Sequence, residues 1–219
     1  MVTRGDARRE QILYAAMVVF ADQGYHRASL SGIAEQVGIS QAGLLHHFPT
    51  KQHLLTAVLE ARGRLDQEWL RELDPDGDTG PHALANLLRL VDRNRRLGGL
   101  VQIYTALSGE SVTDEHPARP WFVARYTRVT ESLENSLRRG VDEGSVRAGT
   151  DCAALAREVL ATMDGLQLQW LLRPAEVDMV ACFRDYAIRL VRSIAVDPGP
   201  FEVLLDTAVP TPIMAPRAG

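Results

Sequence analysis

The residues best suited to chemistry in this sequence lie close together, between positions 40 and 47. They are small or can form hydrogen bonds: Ser40, Gln41, Ala42, Gly43, His46 and His47. Serine, glutamine and histidine side chains can bond to base edges and phosphates, and alanine and glycine allow a close approach. The stretch therefore predicts a surface that contacts nucleic acid.

Adjacent histidines and two cysteines raise the alternative of a metal or redox site. Neighbouring residues in a helix diverge by about 100°, so His46 and His47 cannot chelate one ion from one face. No Glu-x-x-His or His-x-x-x-His spacing accompanies them. Cys152 and Cys182 are too far apart for a Cys-x-x-Cys motif, and a buried apolar role is favoured over a redox role. We expect no metal ion and no cofactor, and we expect His47 to pack partly on a core.

The composition favours a helical protein with a sizeable core. Of 219 residues, 46% are hydrophobic and only 6% aromatic, and runs of Val, Ile and Thr are scarce. No apolar run approaches the length of about 20 residues that spans a membrane, and no apolar signal core follows the first residues. We expect an all-α protein of about nine helices that acts in the cytoplasm.

Apolar spacing and capping residues predict the helices. Four are expected near the N-terminus, over 8–22, 30–37, 40–48 and 50–73, followed by 82–96, 98–109, 117–144, 151–172 and 176–195. Gly24 ends the first helix, while Ser29, Ser40 and Thr50 are capping residues. The segment 74–81 is a surface connector and not a calcium-binding loop, because counting from Asp74 the sixth position holds Thr79 instead of glycine and the twelfth holds Ala85 instead of glutamate. Five prolines after Asp197 predict an irregular tail over 198–219.

The second and third helices have the features of a helix-turn-helix. A small residue, Ala34, allows the two helices to meet closely, and Gly38 supplies a positive φ in the turn. The small core that fixes the crossing angle would be formed by Ile33, Val37, Ile39 and Leu44. The polar residues of the third helix then face outward, although such corners also occur in all-α proteins that do not bind DNA.

The charge distribution supports a nucleic-acid contact near the N-terminus. The whole chain has a net charge of −4. Residues 1–64 hold seven Lys or Arg against five Asp or Glu, a net charge of +2, and the remainder is acidic. A mildly basic head can meet phosphates while the body remains acidic.

Residues 8–60 resemble the TetR family of transcription regulators. The matching segments are Arg9 to Leu13, Ala15-Ala16 with Phe20, Gly24-Tyr25, Ile33 to Ser40, Leu44 to Lys51, and Leu54-Leu55. Family members commonly carry Ile-Ala-x-x-x-Gly-Val-Ser, followed by Leu-Tyr-x-His-Phe-x-x-Lys. The resemblance implies a DNA-binding domain over 1–50, a helical regulatory and dimerisation domain over 51–197, and a separate tail.

The resemblance also implies a role for individual residues. We expect Ser29 and Ser31, with Ser40 beside them, to contact the DNA backbone, and Lys51 to contact a phosphate. The residues expected at bases are Gln41, Ala42 and Gly43. At the groove edge we expect His46 and His47. Two positions depart from the family pattern. Leu45 stands where a tyrosine is common, and Gly43 stands where a threonine or serine is common. Each change removes a hydroxyl that could contact DNA.

The segment 116–172 is similar to the C-terminal domain of choline-regulator (BetI)-like members, through His116-Pro117, Tyr126 and Met163 to Leu166. The resemblance implies a homodimer formed through about 151–172 and 176–195, and a small-molecule effector site. Candidate lining residues, which could equally be ordinary core, are Leu100, Tyr104, Trp121, Phe122, Tyr126, Met163, Gln167 and Trp170.

The function implied is a DNA-binding transcription regulator, most often a repressor in this family, that releases a palindromic operator when a small molecule binds. One alternative is a dimeric small-molecule-binding adaptor of the same shape without DNA binding. An enzyme is disfavoured because the sequence has no nucleophile elbow, phosphate loop or paired metal-ligand motif.

Overall fold

The computed structural model describes residues 4–73 and 79–209. Within these ranges, regular structure is helical apart from one isolated bridge between Val146 and Ala195, which confirms the all-α fold. The helices are α1 (Arg4–Arg27), α2 (Leu30–Val37), α3 (Gln41–His47), α4 (Lys51–Leu73), α5 (His82–Arg96), α6 (Gly98–Glu110), α7 (Arg119–Asp142), α8 (Cys152–Leu172), α9 (Met179–Ile194) and α10 (Gly199–Ala208). The nine predicted helices are present with small shifts at their ends.

Helix α1 is interrupted where the sequence predicted its end. Gly24 has φ 76° and ψ 162°, a conformation that residues with a side chain rarely adopt. One more turn follows, in which the Ala28 N–H donates to the Gly24 carbonyl at 3.2 Å. The kink therefore sets the direction of the short segment that carries Tyr25 and His26.

The residues cluster into two compact units. The first consists of Met1–Leu73 and Asn94–Thr130. In it α1 packs on α2, α4 and α6. Its largest buried side chains include Ile12, Leu13, Phe20, Ile33, Leu44, Leu54 and Leu55. The division of function at residue 50 stays a prediction, since packing alone does not test it.

The second unit consists of Asp74–Arg93 and Glu131–Gly219. Helix α9 packs on both α8 and α10, and its buried face includes Phe183 and Val191. A close approach of two chain segments depends on Gly140, where a Cβ would lie 2.5 Å from the Cα of Gly80. Spacing along the chain could not indicate this contact, because 60 residues separate Gly80 and Gly140.

The prediction of an irregular tail is wrong for Gly199–Ala208, which forms α10. Proline is tolerated in the first turn of a helix, where its missing N–H would have no partner, and Pro200 occupies that turn. Leu205 is buried, and Arg192 of α9 donates to both carboxylate oxygens of Glu202 at 2.9 and 2.8 Å. Residues 210–219, like most of the 74–81 loop, lie outside the described residues.

In the described ranges, no helix combines the length and apolar character needed to cross a membrane.

Candidate nucleic-acid interface

Helices α2 and α3 are each closed by the residues that the sequence indicated. Ser29 Oγ accepts from the Gly32 N–H at 3.0 Å, and Ser40 Oγ accepts from the Gly43 N–H at 3.1 Å. Between them Gly38 adopts a left-handed conformation with φ 70° and ψ 38°. Serine caps satisfy N–H groups that have no partner within the helix, and glycine takes positive φ without a steric penalty. The predicted boundaries of both helices are confirmed.

The angle between the two helices is fixed by a small buried core. Ile33 and Leu44 are fully buried, and Ala34 is 1% exposed. The Ile39 N–H donates to the Ala34 carbonyl at 3.0 Å, which holds the turn against the end of α2. These contacts confirm the predicted helix-turn-helix.

The opposite face of α3 carries the residues expected to read DNA. Ser40, Gln41, Ala42 and His46 are exposed, whereas Gly43 and His47 are half-buried. The rings of the two histidines meet edge to face with centroids 5.7 Å apart. The residues of α3 that were predicted to contact DNA therefore share one accessible surface. The partial burial of His47 agrees with its expected packing on a core.

Helix α1 supports this surface from behind. Arg8 Nη1 donates to the Val37 carbonyl at the end of α2, at 3.3 Å. The Arg9 guanidinium lies 5.0 Å from the centre of the buried Phe48 ring, a cation–π distance. Both arginines therefore act in positioning α2 and α3, a role that the sequence analysis did not assign to them.

The remaining predicted DNA contacts flank the helix-turn-helix. Ser29 and Ser31 are exposed, and Ser31 Oγ donates to Ser29 Oγ at 3.2 Å. At the start of α4, Thr50 Oγ1 accepts from the His53 N–H at 3.2 Å, which confirms Thr50 as the cap.

Lys51 makes contacts that sequence spacing could not indicate. Its Nζ donates to the His26 carbonyl at 3.1 Å and lies 4.6 Å from the centre of the Tyr25 ring. Partial burial lowers the pKa of Lys51 below its usual value. The side chain therefore links the start of α4 to the end of α1.

The candidate effector-site residues fall into two groups. Those of the first unit are Leu100, Tyr104, Trp121, Phe122 and Tyr126, and those of the second are Met163, Gln167 and Trp170. In the first group, the Phe122 ring lies 5.2 Å from Tyr104 and 5.0 Å from Trp121, and Arg125 Nε donates to the Tyr104 hydroxyl at 3.0 Å. Phe122 is core, whereas the other aromatic residues are partly accessible.

In the second group Met163 and Gln167 are buried on α8, and Trp170 is half-buried. Within the segment 176–195 expected at the dimer interface, the apolar residues of α9 are largely buried within the subunit, as Phe183 and Val191 illustrate. On α8, by contrast, Leu168 and Leu172 remain 48% and 72% exposed.

The fold and the accessible face of α3 define a helix-turn-helix DNA-binding protein. The family model described as bacterial regulatory proteins of the tetR family matches residues 12–58. The model described as the C-terminal part of BetI-type transcriptional repressors matches residues 82–192. The chain therefore belongs to the TetR family of transcriptional regulators, as the sequence motifs predicted.

Similar proteins agree with this assignment. The chain is 27% identical over 180 residues to the HTH-type transcriptional regulator TtgR of Pseudomonas putida, covering 78% of this chain and 84% of the relative. It is 30% identical over 169 residues to the nucleoid occlusion factor SlmA of Vibrio atlanticus, covering 74% and 83%. The solved structure of FadR from Bacillus subtilis in complex with stearoyl-CoA has a TM-score of 0.69 at 20% identity, covering 92% of this chain and 99% of that chain. That likeness concerns the fold alone.

Proposed function

We propose that the protein is a repressor that binds a palindromic operator as a homodimer and is released by a small molecule. The observation that carries the proposal is the accessible polar face of α3, held by the buried Ile33, Ala34 and Leu44. A rigid support matters because base-specific hydrogen bonds require fixed donor and acceptor positions. The protein acts by binding and not by catalysis. Since its target is chromosomal DNA, we expect it to work in the cytoplasm.

On DNA, the exposed residues of α3 divide into two kinds. Gln41 is the group best able to make a bidentate contact with an adenine, while Ala42 and Gly43 allow the helix to approach base edges. The DNA backbone would be contacted by Ser29, Ser31 and Ser40. At the edge of the groove, further contacts would come from His46, His47 and Lys51. Backbone contacts position the protein, and the Gln41 contact supplies sequence discrimination.

Dimerisation is proposed through α8 and α9. One face of α8 carries residues spaced four, three and four apart that are small or apolar: Ala161, Gly165, Leu168 and Leu172. Such spacing forms a stripe on one side of a helix. Leu168 and Leu172 are largely exposed in the single chain, and a Cβ at Gly165 would meet nothing within 4 Å. A second copy could therefore approach this stripe closely.

A twofold dimer presents two α3 helices to half-sites about one or more helical turns apart, which explains the expected palindrome. A small-molecule effector would favour a subunit arrangement that no longer matches that spacing. The partly accessible aromatic residues Tyr104, Trp121 and Tyr126 support a mainly apolar effector. The stearoyl-CoA complex of FadR shows that this fold can accommodate a small molecule in another protein.

The test is a fluorescence-anisotropy titration with DNA from upstream of the gene, and with sites selected from random DNA. Replacing Gln41 by alanine should weaken specific binding by about 1–3 kcal/mol and relax preference at one base position. The matched control is Gln102→Ala, an exposed glutamine on α6. It removes the same amide away from the proposed surface and should bind as the parent protein does.

Failure to select any preferred sequence would overturn the repressor proposal and favour the adaptor that binds small molecules without DNA. Binding that is equally tight with Gln41→Ala and the parent would instead reject the role of Gln41. If an operator is found, the same fragment serves as a release assay for candidate effectors.

A further inference from the structure

Three potential metal ligands meet in the first unit although the sequence holds them far apart. His26 lies in the turn of α1 that follows the Gly24 kink, Glu110 is the last residue of α6, and His116 lies between α6 and α7. One nitrogen or oxygen atom from each falls within 4.8 Å of the others. Two imidazoles and one carboxylate form a ligand set well suited to zinc.

The distances fit a small tetrahedral ion. Glu110 Oε2 lies 3.5 Å from His26 Nε2 and 3.4 Å from His116 Nε2. With metal–ligand bonds of about 2.0–2.1 Å, tetrahedral ligand atoms lie about 3.3–3.4 Å apart. These two edges already have about that length, and the ligand atoms of the third edge, between the two histidines, lie within 4.8 Å of each other.

A second observation is that two buried atoms of the cluster, which lie 3.4 Å apart, make no hydrogen bond with any residue that the structure describes. The His116 side chain is only 5% exposed. Its Nε2 and the Oε2 of Glu110 are buried, and among the described residues neither has a hydrogen-bond partner. Buried polar atoms are normally paired, so two of them facing one point call for an explanation. A cation between them would satisfy both at once.

The Nδ1 atom of His116 has two polar neighbours, and one of them is compatible with metal binding at Nε2. His116 Nδ1 lies 3.1 Å from Ser111 Oγ, and the Ser111 hydroxyl donates to the Leu107 carbonyl at 2.6 Å. Since that hydroxyl proton is already used, Ser111 Oγ can accept from an Nδ1–H, which leaves a lone pair on Nε2 for a metal. The Ala118 N–H, 3.3 Å from Nδ1, favours the other tautomer, in which Nε2–H would merely face Glu110.

Neighbouring side chains contact the segments that carry the three ligands, and the His26 side of the cluster is accessible to solvent. Arg119 Nη1 donates to the Val112 carbonyl at 2.9 Å and so fastens the segment that carries His116. The Tyr25 ring lies edge-on to the rings of His26 and His116, with centroid distances of 5.4 and 5.9 Å. The His26 side chain is 73% exposed, which provides an entry path.

We propose that His26, Glu110 and His116 bind a divalent transition-metal ion, with zinc the best match to two nitrogen ligands and one oxygen ligand. The fourth position, on the exposed side of His26, would hold water. The sequence predicted no metal because the spacing of His46 and His47 and of the two cysteines is unsuitable. That argument did not extend to His26, Glu110 and His116.

The site would connect the metal to DNA binding, a consequence that rests on the proposed function. His26 is three residues before the Ser29 cap of α2, and its carbonyl accepts from Lys51 at the start of α4. An ion would therefore fix the end of α1 to the end of α6. Coupling between two such sites typically changes affinity by about 5–150-fold.

The first experiment measures zinc binding by the purified full chain, without tag or chelator, in the absence of DNA. We expect one zinc ion per chain by calorimetry and a tetrahedral visible absorption spectrum with cobalt. His26→Ala and Glu110→Gln should weaken zinc binding by more than about tenfold. Since His26 is exposed, its variant should fold normally, and circular dichroism verifies this. Ser111→Ala should weaken binding through the orientation of His116.

The matched control is His53→Ala, which removes another exposed histidine from the same unit and should leave zinc binding unchanged. No binding by the parent protein, or equal binding by the parent and the His26 and Glu110 variants, would overturn the site. Operator affinity with and without zinc is then a separate measurement. Zinc binding without an effect on operator affinity supports the site and rejects the coupling. If the chain binds zinc but no DNA, the proposed function fails while the metal site stands.

Discussion

The exposed face of α3 and the exposed face of α8 differ in chemistry although both belong to amphipathic helices. On α3 the accessible residues are short and polar, as Ser40 and Gln41 show. On α8 they include Leu168 and Leu172, which are 48% and 72% exposed. A wet, charged partner such as DNA suits the first surface, and an apolar partner such as a second subunit suits the second. The difference teaches that the residues left over after the core is packed are more informative about partners than the buried ones.

The largest expected effect comes from placing a charge on the α8 face. Leu168→Glu should convert the dimer to a monomer, because a buried unpaired carboxylate is costly. With only one half-site engaged, operator affinity should fall by about 100-fold or more. Light scattering and anisotropy measure the two effects. Leu65→Glu is the control, since Leu65 is also 48% exposed but lies on α4. A dimeric Leu168→Glu variant would show that subunits meet elsewhere.

A similarly large effect is expected on the hidden side of α3. Leu44→Ala should destabilise the protein by about 2–5 kcal/mol, because it leaves a cavity where Leu44 is fully buried. Denaturant unfolding provides the measurement. Leu45→Ala, at the half-buried neighbour, should cost much less. Equal losses at the two positions would contradict the assignment of Leu44 as the residue that fixes the helix-turn-helix angle.

An intermediate effect distinguishes two roles of Lys51. If Lys51 contacts a phosphate at the groove edge, Lys51→Met should reduce the slope of log affinity against log salt by about 0.9 per protomer. Arg64→Met, an exposed charge on α4, should leave the slope unchanged. An unaltered slope in Lys51→Met, together with lower stability, would assign Lys51 entirely to the contact with His26.

The smallest effect concerns Gly43, which is proposed to face DNA from α3. Gly43→Ala should stabilise the protein by up to about 1 kcal/mol, since alanine favours a helix and the new Cβ would lie 3.4 Å from Ser40 Oγ, an ordinary contact. Operator affinity should nevertheless fall if, as proposed above, the backbone approaches DNA closely at Gly43. Gly109→Ala on α6, where a Cβ meets nothing within 4 Å, should leave operator affinity unchanged. Thermal melting and anisotropy test both variants, and unchanged operator affinity in Gly43→Ala would argue against close approach at this position.

Proline was the least reliable guide to the fold. Pro198 and Pro200 predicted an irregular tail, but both stand at the start of α10, where a missing N–H costs nothing. What decides between a break and a helix start is the packing that follows, here Leu205 and the Arg192–Glu202 pair. The sequence shows that Leu205 is apolar, but it does not show that Arg192 lies beside Glu202 in the fold.

The amino-acid sequence alone determined the helix-turn-helix, because its caps, turn and core depend on residues within about fifteen positions of one another. Ser29 and Ser40 bond to N–H groups three residues ahead, and Gly38 turns the chain by its own conformation. Only the tertiary structure decided what meets at the end of α1. His26, Glu110 and His116 come together because α1 packs on α6, and such contacts arise from complementary surfaces rather than from residue spacing.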